Sequence, residues 1–331
     1  MHSIVFPKAG NSNICKIIES TLTQLPNENE VVVEVKYAGI NFADIMARRG
    51  TYQDAPAFPC IVGYEVSGIV KKVGSQKLNS WLGKNILCFT HFGGYSSEII
   101  VPIHGVFEIP SKLTFEEAAA IPVNYLTAYL LIIGMGTLKS HETILIHNAG
   151  GGVGLAALQL AKHIGARIIA TASKSKHSRL LQCGADHVVD YRQKHWAKEI
   201  LHLTSQQGVE LVVDPLGGTS WKTSYTLLRS TGRLGMFGVS NSSENKISLL
   251  KLLFQMPIFH PLSLLNNNKA VFGVNMGRLW HEPNKARFWM QEIFNLINQD
   301  KIKPTIAEIF SYRDVSKAHD YIEERKNFGK V

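Results

Sequence analysis

Between residues 142 and 240 the chain alternates short, wholly apolar runs with amphipathic stretches of about a dozen residues, and this pattern limits its fold more than any other feature. Continuous apolar runs suit strands buried on both faces, and the intervening stretches suit crossover helices, so the pattern predicts a parallel, doubly wound sheet. Strands are expected at 144–146, 167–171, 187–190, 209–214 and 233–238. Helices are expected at 152–164, at 174–183, through Ile200 and from 219 to 228. A further strand at 269–274 and helices at 284–298 and 312–325 follow.

The first of these strands runs into His147-Asn148-Ala149-Gly150-Gly151-Gly152-Val153-Gly154 and then into a helix. Aligned on the G-x-G-x-x-G pattern, Ala149 stands in the first glycine place, with Gly151 and Gly154 in the others. A glycine in the second place lets backbone approach a pyrophosphate, and one in the third lets helix pack on strand. The helix N-terminus adds free N–H groups and the positive end of a dipole. The flanking strand, helix and βαβ units favour a dinucleotide site over a purely structural glycine turn. An NAD site places an acid at the end of the second strand to hold the ribose 2′-hydroxyl. Here the chain reads Ala170-Thr171-Ala172-Ser173-Lys174-Ser175-Lys176-His177, with no acid. Ser173, Lys174, Lys176 and His177 suit a 2′-phosphate, which favours NADP(H); the alternative is a helix start with solvated lysines.

The first 120 residues are strand-like, with β-branched 31–35, a loosely alternating 69–73 and recurrent Gly or Pro. Thr114 followed by Glu117 predicts a capping box opening an Ala-rich helix and marks a domain boundary nearby. In its 331 residues the 35 Lys and Arg exceed the 26 Asp and Glu, giving a formal charge of +9. The basic residues are scattered in ones and twos, which argues against nucleic acid and is compatible with an anionic small ligand or a solvated surface. Cys15, Cys60, Cys88 and Cys183 fall singly and read as small buried residues in a reducing compartment. The first residues lack a signal-peptide pattern and no apolar run reaches spanning length, so a cytoplasmic location is expected. The thirteen histidines show no ligand spacing and read as surface or satisfied core residues.

The segments AGINFADIMARRGTY (38–52), FPCIVGYEVSGIVKKVG (58–74), LTFEEAAAIPVNYLTAY (113–129), HNAGGGVGLAALQLAK (147–162), TASKSKH (171–177), DPLGG (214–218) and RKNFGKV (325–331) together resemble the medium-chain dehydrogenase/reductase superfamily, in its zinc-free quinone oxidoreductase branch. Within it, DPLGG and NKAVFGVNMGRL (268–279) look most like the homologues of the synaptic vesicle membrane protein, also described as vesicle amine transport homologues. The resemblance implies an α/β fold: a GroES-like β domain with a Rossmann NADP-binding domain inserted in it. The expected bounds are 1–122, 123–265 and a returning segment 266–331. Where alcohol dehydrogenases of the superfamily hold zinc with a Cys and a His, this chain has Asn41 and Tyr64, so no metal is expected.

The same resemblance places Asn41 beside the nicotinamide ribose or the substrate, and Tyr52 at the substrate pocket. Tyr52 is either a hydrogen-bond or proton donor or a packed core tyrosine. Cofactor contacts are implied for Thr127, Gly151, Gly152, Val153, Gly154, Ser173, Lys176, Tyr191, Phe237, Gly238, Arg325 and Asn327. The implied activity is NADPH-dependent hydride transfer to a quinone or α,β-unsaturated carbonyl. The alternative is an NADPH-binding interaction or membrane-associated protein with little turnover. For the apolar segment 249–265, a pocket-lining or interface role competes with a membrane-touching lid; Pro257 and Pro261 would break a long surface helix and favour the former. A homodimer is expected, because strands near 234–238 and 268–276 would otherwise leave sheet edges unpaired.

Overall fold

The computed structural model describes residues 1–19, 24–242, 250 and 252–331. Leu249 and Lys251, expected above to belong to an apolar segment, lie outside the described residues. The chain divides into two compact units, one of Met1–Leu126 with Gly277–Val331 and one of Thr127–Met276.

In the first unit, β1 (His2–Val5) and β2 (Lys16–Glu19) form a two-stranded ribbon. The main sheet holds β3 (Glu30–Ala38), β4 (Glu65–Val73), β5 (Asn85–Phe89), β6 (Glu98–Pro102) and β7 (Val106–Glu108), all antiparallel, in the order β6-β3-β4-β5-β7. Its buried cluster includes Val31, Val33, Val66, Val70, Ile86, Cys88, Val101 and Val106. Such side chains contribute roughly 1.5–3 kcal/mol each by leaving water. Helix α1 (Phe42–Arg48) follows β3, and α2 (Phe115–Ala119) opens on the expected capping box, where Thr114 Oγ1 accepts from Glu117 N–H. Helix α3 is Pro122–Tyr129.

The second unit is the doubly wound part. Strands β8 (Thr143–Ile146), β9 (Arg167–Thr171), β10 (His187–Val189), β11 (Val209–Asp214), β12 (Leu228–Met236) and β13 (Ala270–Gly273) form one parallel sheet in the order β10-β9-β8-β11-β12-β13. Relabelled from β8 as strand 1, this is the 3-2-1-4-5-6 order of dinucleotide-binding sheets, whose switch point lies between strands 1 and 4. The connecting helices are α4 (Gly152–Ile164), α5 (His177–Cys183), α6 (Trp196–Leu203) and α7 (Thr219–Thr226), with α8 at Pro261–Asn267. Back in the first unit, α9 (Pro283–Asn298) and α10 (Val315–Glu323) complete the chain.

Two expectations change. The second unit spans Thr127–Met276 rather than 123–265, its far bound moving because β13 pairs with β12 in register Arg233↔Ala270 through Met236↔Gly273. For the same reason β12 is not an edge; it lies between β11 and β13, and among the described residues the outer strands of the sheet are β10 and β13. Strand β12 also starts five residues earlier than its apolar run suggests. At positions 257 and 261 the prolines act as expected, Pro261 occupying the first turn of α8. Around them Phe254, Ile258, Leu262 and Leu265 are 84%, 93%, 62% and 71% exposed.

Candidate functional site

In parallel α/β sheets, ligands bind beyond the carboxyl ends of the strands at the switch point. In the second unit those ends carry His147–Gly154 after β8, Ala172–Lys176 after β9, Pro215–Gly218 after β11 and Phe237–Gly238 after β12. Asn148 lies in the left-handed region at φ 51° and accepts from Gly151 N–H at 2.9 Å, so the chain reverses before α4 begins. Gly154 is required by contact. A Cβ there would stand 2.4 Å from Asn148 O and 2.7 Å from the Ala149 Cα. Gly151 caps α4 with no side-chain bond, leaving the first-turn N–H groups of Gly152, Val153 and Gly154 to an outside acceptor.

Ser173 caps a single tight turn, Lys174–Lys176, that leads into α5, with its Oγ 3.3 Å from Ser175 Oγ. Lys174 is exposed, while Ser173 and Lys176 are half-buried. His177, grouped above with the phosphate candidates, turns back instead, its Nε2 donating to Ala172 O at 3.2 Å. Tyr191 is half-buried under the Arg192 guanidinium, 5.8 Å from its ring. Thr127 is buried in α3, and half-buried Phe237 donates its N–H to Asp214 O at 3.3 Å. An anion-binding helix start, a basic turn with no acid and an aromatic thus gather at one sheet edge, which fits a phosphorylated dinucleotide.

Beneath this edge runs a buried polar chain around His147, whose isolated place in the sequence gives no sign of it. His147 Nδ1 is 3.0 Å from Thr171 Oγ1, and its Nε2 is 3.1 Å from Ser224 Oγ. Ser224 and Ser220 both donate to Asp214 Oδ2 at 2.7 Å, and Leu216 N–H donates to Oδ1 at 2.7 Å. Burial holds the His147 imidazole below its ordinary value, the nearby Asp214 charge acting in the opposite sense.

The first unit holds Asn41, Tyr52, Arg325 and Asn327. Asn41 N–H donates to Asp44 Oδ2 at 2.7 Å, and Gly63 N–H donates to Asp44 Oδ1 at 2.9 Å. The Asn41 amide is committed at both ends, Oδ1 accepting from Lys330 Nζ at 2.7 Å and Nδ2 donating to Glu65 Oε1 at 2.8 Å. Lys330 Nζ also pairs with Glu65 Oε1, and Glu65 Oε2 accepts from Val123 N–H at 2.7 Å. Asn41 is therefore held inward by a lysine and a glutamate far away in sequence. Asp44, fully enclosed, has its carboxyl pushed up to about 7 by burial, despite the two N–H groups and Lys330.

Tyr64 is buried, its ring 6.1 Å from Tyr52 in a T-shaped contact and 4.8 Å from Phe92. Burial drives its hydroxyl far above the ordinary phenol value. Tyr52 is half-buried on the edge of this aromatic group. Arg325 is exposed at φ 57°, and Asn327 Nδ2 donates to Gly329 O at 3.0 Å. Asn41 and Tyr64 do not suit a Zn²⁺ ion, and among the described residues no group of three or more His, Cys, Asp or Glu is placed to hold a metal.

Residues 27–111 match the family model described as alcohol dehydrogenase GroES-like domain, and residues 152–292 that described as zinc-binding dehydrogenase. A synaptic vesicle membrane protein VAT-1 homolog of Danio rerio is 36% identical over 91% of this chain, which spans only 63% of that relative's length. The Homo sapiens VAT-1 homolog is 35% identical over 92% of this chain and 79% of its own. The structure of an Escherichia coli quinone oxidoreductase complexed with NADPH superposes with a TM-score of 0.88 at 30% identity, covering 100% of this chain and 99% of that one. Both units are covered by these matches, and the chain belongs to the medium-chain dehydrogenase/reductase superfamily, close to the VAT-1 homologues.

Proposed function

We propose that this chain binds NADP(H) and reduces a quinone or an α,β-unsaturated carbonyl without a metal ion. The observation that carries the reading is the edge of the second unit, where an uncapped α4 start stands beside a β9 terminus that offers Ser173 and Lys176 and no acid. The first-turn N–H groups of α4 hold the diphosphate, and Ser173 Oγ with Lys176 Nζ meets the 2′-phosphate. NADPH supplies a hydride when bound. The residues here orient it and bind the acceptor. Such acceptors need little Lewis-acid activation, because hydrogen bonds can meet the oxyanion that develops on reduction. Tyr52 is the donor we assign to that oxygen, with Tyr64 filling the space behind it.

The kinship to the E. coli enzyme, which carries NADPH, supports this reading. NADPH and NADH oxidation against a panel of ortho- and para-quinones and enones tests it. Turnover that prefers NADPH, and that falls in Tyr52→Phe with NADPH binding unchanged, is the expected result; no NADPH binding overturns it.

The exposure of Phe254, Ile258, Leu262 and Leu265 favours a second reading, an NADPH-binding interaction or membrane-associated protein with little turnover. Binding of the protein to liposomes, lost when charges replace Phe254 and Ile258, would support it. We further propose a cytoplasmic homodimer formed along the outer β13 strand.

A further inference from the structure

The buried chain at residues 147, 171, 214 and 224 has a fixed direction. A serine hydroxyl carries one proton, and that of Ser224 goes to Asp214. Ser224 Oγ must then accept from His147 Nε2–H, which leaves Nδ1 bare to accept the Thr171 hydroxyl proton. Each group has one role, and the order runs Thr171, His147, Ser224, Asp214. The partners sit at the carboxyl ends of β9, β8 and β11 and on α7, so the chain spans the sheet across its switch point.

Thr171 is the residue where the two halves of the cofactor grip meet. Its carbonyl accepts from Ala149 N–H at 3.2 Å, inside the glycine turn, and its hydroxyl bonds His147 just before that turn. Two residues later comes Ser173, which opens the basic turn. His147 in turn donates its own N–H to Val213 O at 3.1 Å and packs edge-on against Trp196, ring centroids 5.4 Å apart. The imidazole is therefore immobilised on every side.

We propose that His147, through Thr171, is a positioning residue for cofactor choice: it sets the distance between the diphosphate-binding turn and the 2′-phosphate-reading turn, and so the preference for NADPH over NADH. This rests on the assignment of Ser173 and Lys176 to the 2′-phosphate. A dinucleotide has a fixed reach from diphosphate to 2′-phosphate, so a change in that distance penalises NADPH, which must be held at both points. NADH needs only the first.

The ratio of dissociation constants for NADH and NADPH, measured calorimetrically on the full chain together with the melting temperature, tests this. Thr171→Val keeps shape but removes the hydroxyl. His147→Gln keeps a donor in the Nε2 place and loses the Nδ1 acceptor. Both are expected to lower the ratio about fivefold or more, the equivalent of one hydrogen bond. Thr171→Ser and His147→Asn retain the hydroxyl and the Nδ1-like acceptor, and are expected to stay within about twofold of the parent ratio. A merely structural role would lower the melting temperature in all four variants and leave the ratio alone. An unchanged ratio in Thr171→Val overturns the proposal. Lys176→Ala then separates the two levels: a lowered ratio there leaves the 2′-phosphate assignment standing, and an unchanged one removes that assignment and the proposal with it.

Discussion

Replacing Lys330 by methionine removes the cation that pairs with buried Glu65. The Glu65 side chain is 0% exposed and that of Lys330 5%, and the ammonium bonds both Glu65 Oε1 and Asn41 Oδ1. The lysine stem reaches them through space that Gly39 leaves, since a Cβ at Gly39 would stand 2.5 Å from Lys330 Cε. Methionine fits that channel but carries no charge. Glu65 is then left without its counter-charge, and breaking a buried pair in this way costs about 3–5 kcal/mol. For a unit of 150–250 residues each kcal/mol lowers the melting point by about 2–4 °C, so Lys330→Met is expected to melt roughly 6–20 °C lower by circular dichroism. Adding Glu65→Gln removes the stranded charge, and the double variant is expected to regain about 1–3 kcal/mol over the single one. A Lys330→Met protein within about 1 kcal/mol of the parent, or a double variant less stable than the single, would refute the claim that this pair is what holds Asn41 inward.

Gly154→Ala is expected to abolish NADPH binding in calorimetry and to lower the melting temperature, because its Cβ would lie 2.4 Å from a backbone oxygen that cannot yield. Two buried groups set opposing pH dependences in the first unit. Asp44, raised from 3.8 to about 7 by burial, contributes stability that is full below pH 3.8 and is lost as pH rises towards 7. His319, lowered from 6.5 to about 3 by burial and by Arg48, contributes stability that is full above pH 6.5 and is lost as pH falls towards 3. Between about pH 4 and 6.5 these two contributions cancel, and the profile of the first unit is expected to be flat. Asp44→Asn removes one arm, so its stability by guanidinium unfolding should rise about 1.4 kcal/mol per pH unit across that window; a variant profile as flat as the parent's would contradict the pairing.

What was legible in the sequence follows from how local each signal is. Helix 152–164 and strands 167–171 and 209–214 appear with their expected bounds, because the strands are apolar runs, the helix opens on the glycine turn, and each is ended by a glycine or a turn within the next few residues. The start of β12 was not legible. Its first residues include Ser230 and Thr231, both exposed, and Thr231 sits at φ 71°, so no apolar alternation marks them. What extends the strand there is pairing of Leu228 with Val209, a contact that no window of sequence contains.

The two parts of the candidate site differ for the same reason. The cofactor edge of the second unit is assembled from strand ends, each carrying its own glycine, serine or lysine signature, and those signatures can be read one at a time. The binding groups around Asn41 come from positions 24 and 289 residues away, and Lys330 lies in a tail whose local pattern says nothing about an ammonium in a buried site. His147 falls between these cases. As an imidazole after three apolar strand residues it invites the reading of a satisfied core histidine, and it is one. Only the partners reveal more: the bonds to Thr171, 24 residues on, and to Ser224, 77 residues on, carry the proposal that this satisfied histidine is a strut between the two turns assigned to the cofactor. Burial alone would be served by a leucine at that position; a directed chain of hydrogen bonds across the switch point would not, and that difference is what the NADPH-to-NADH ratio reads.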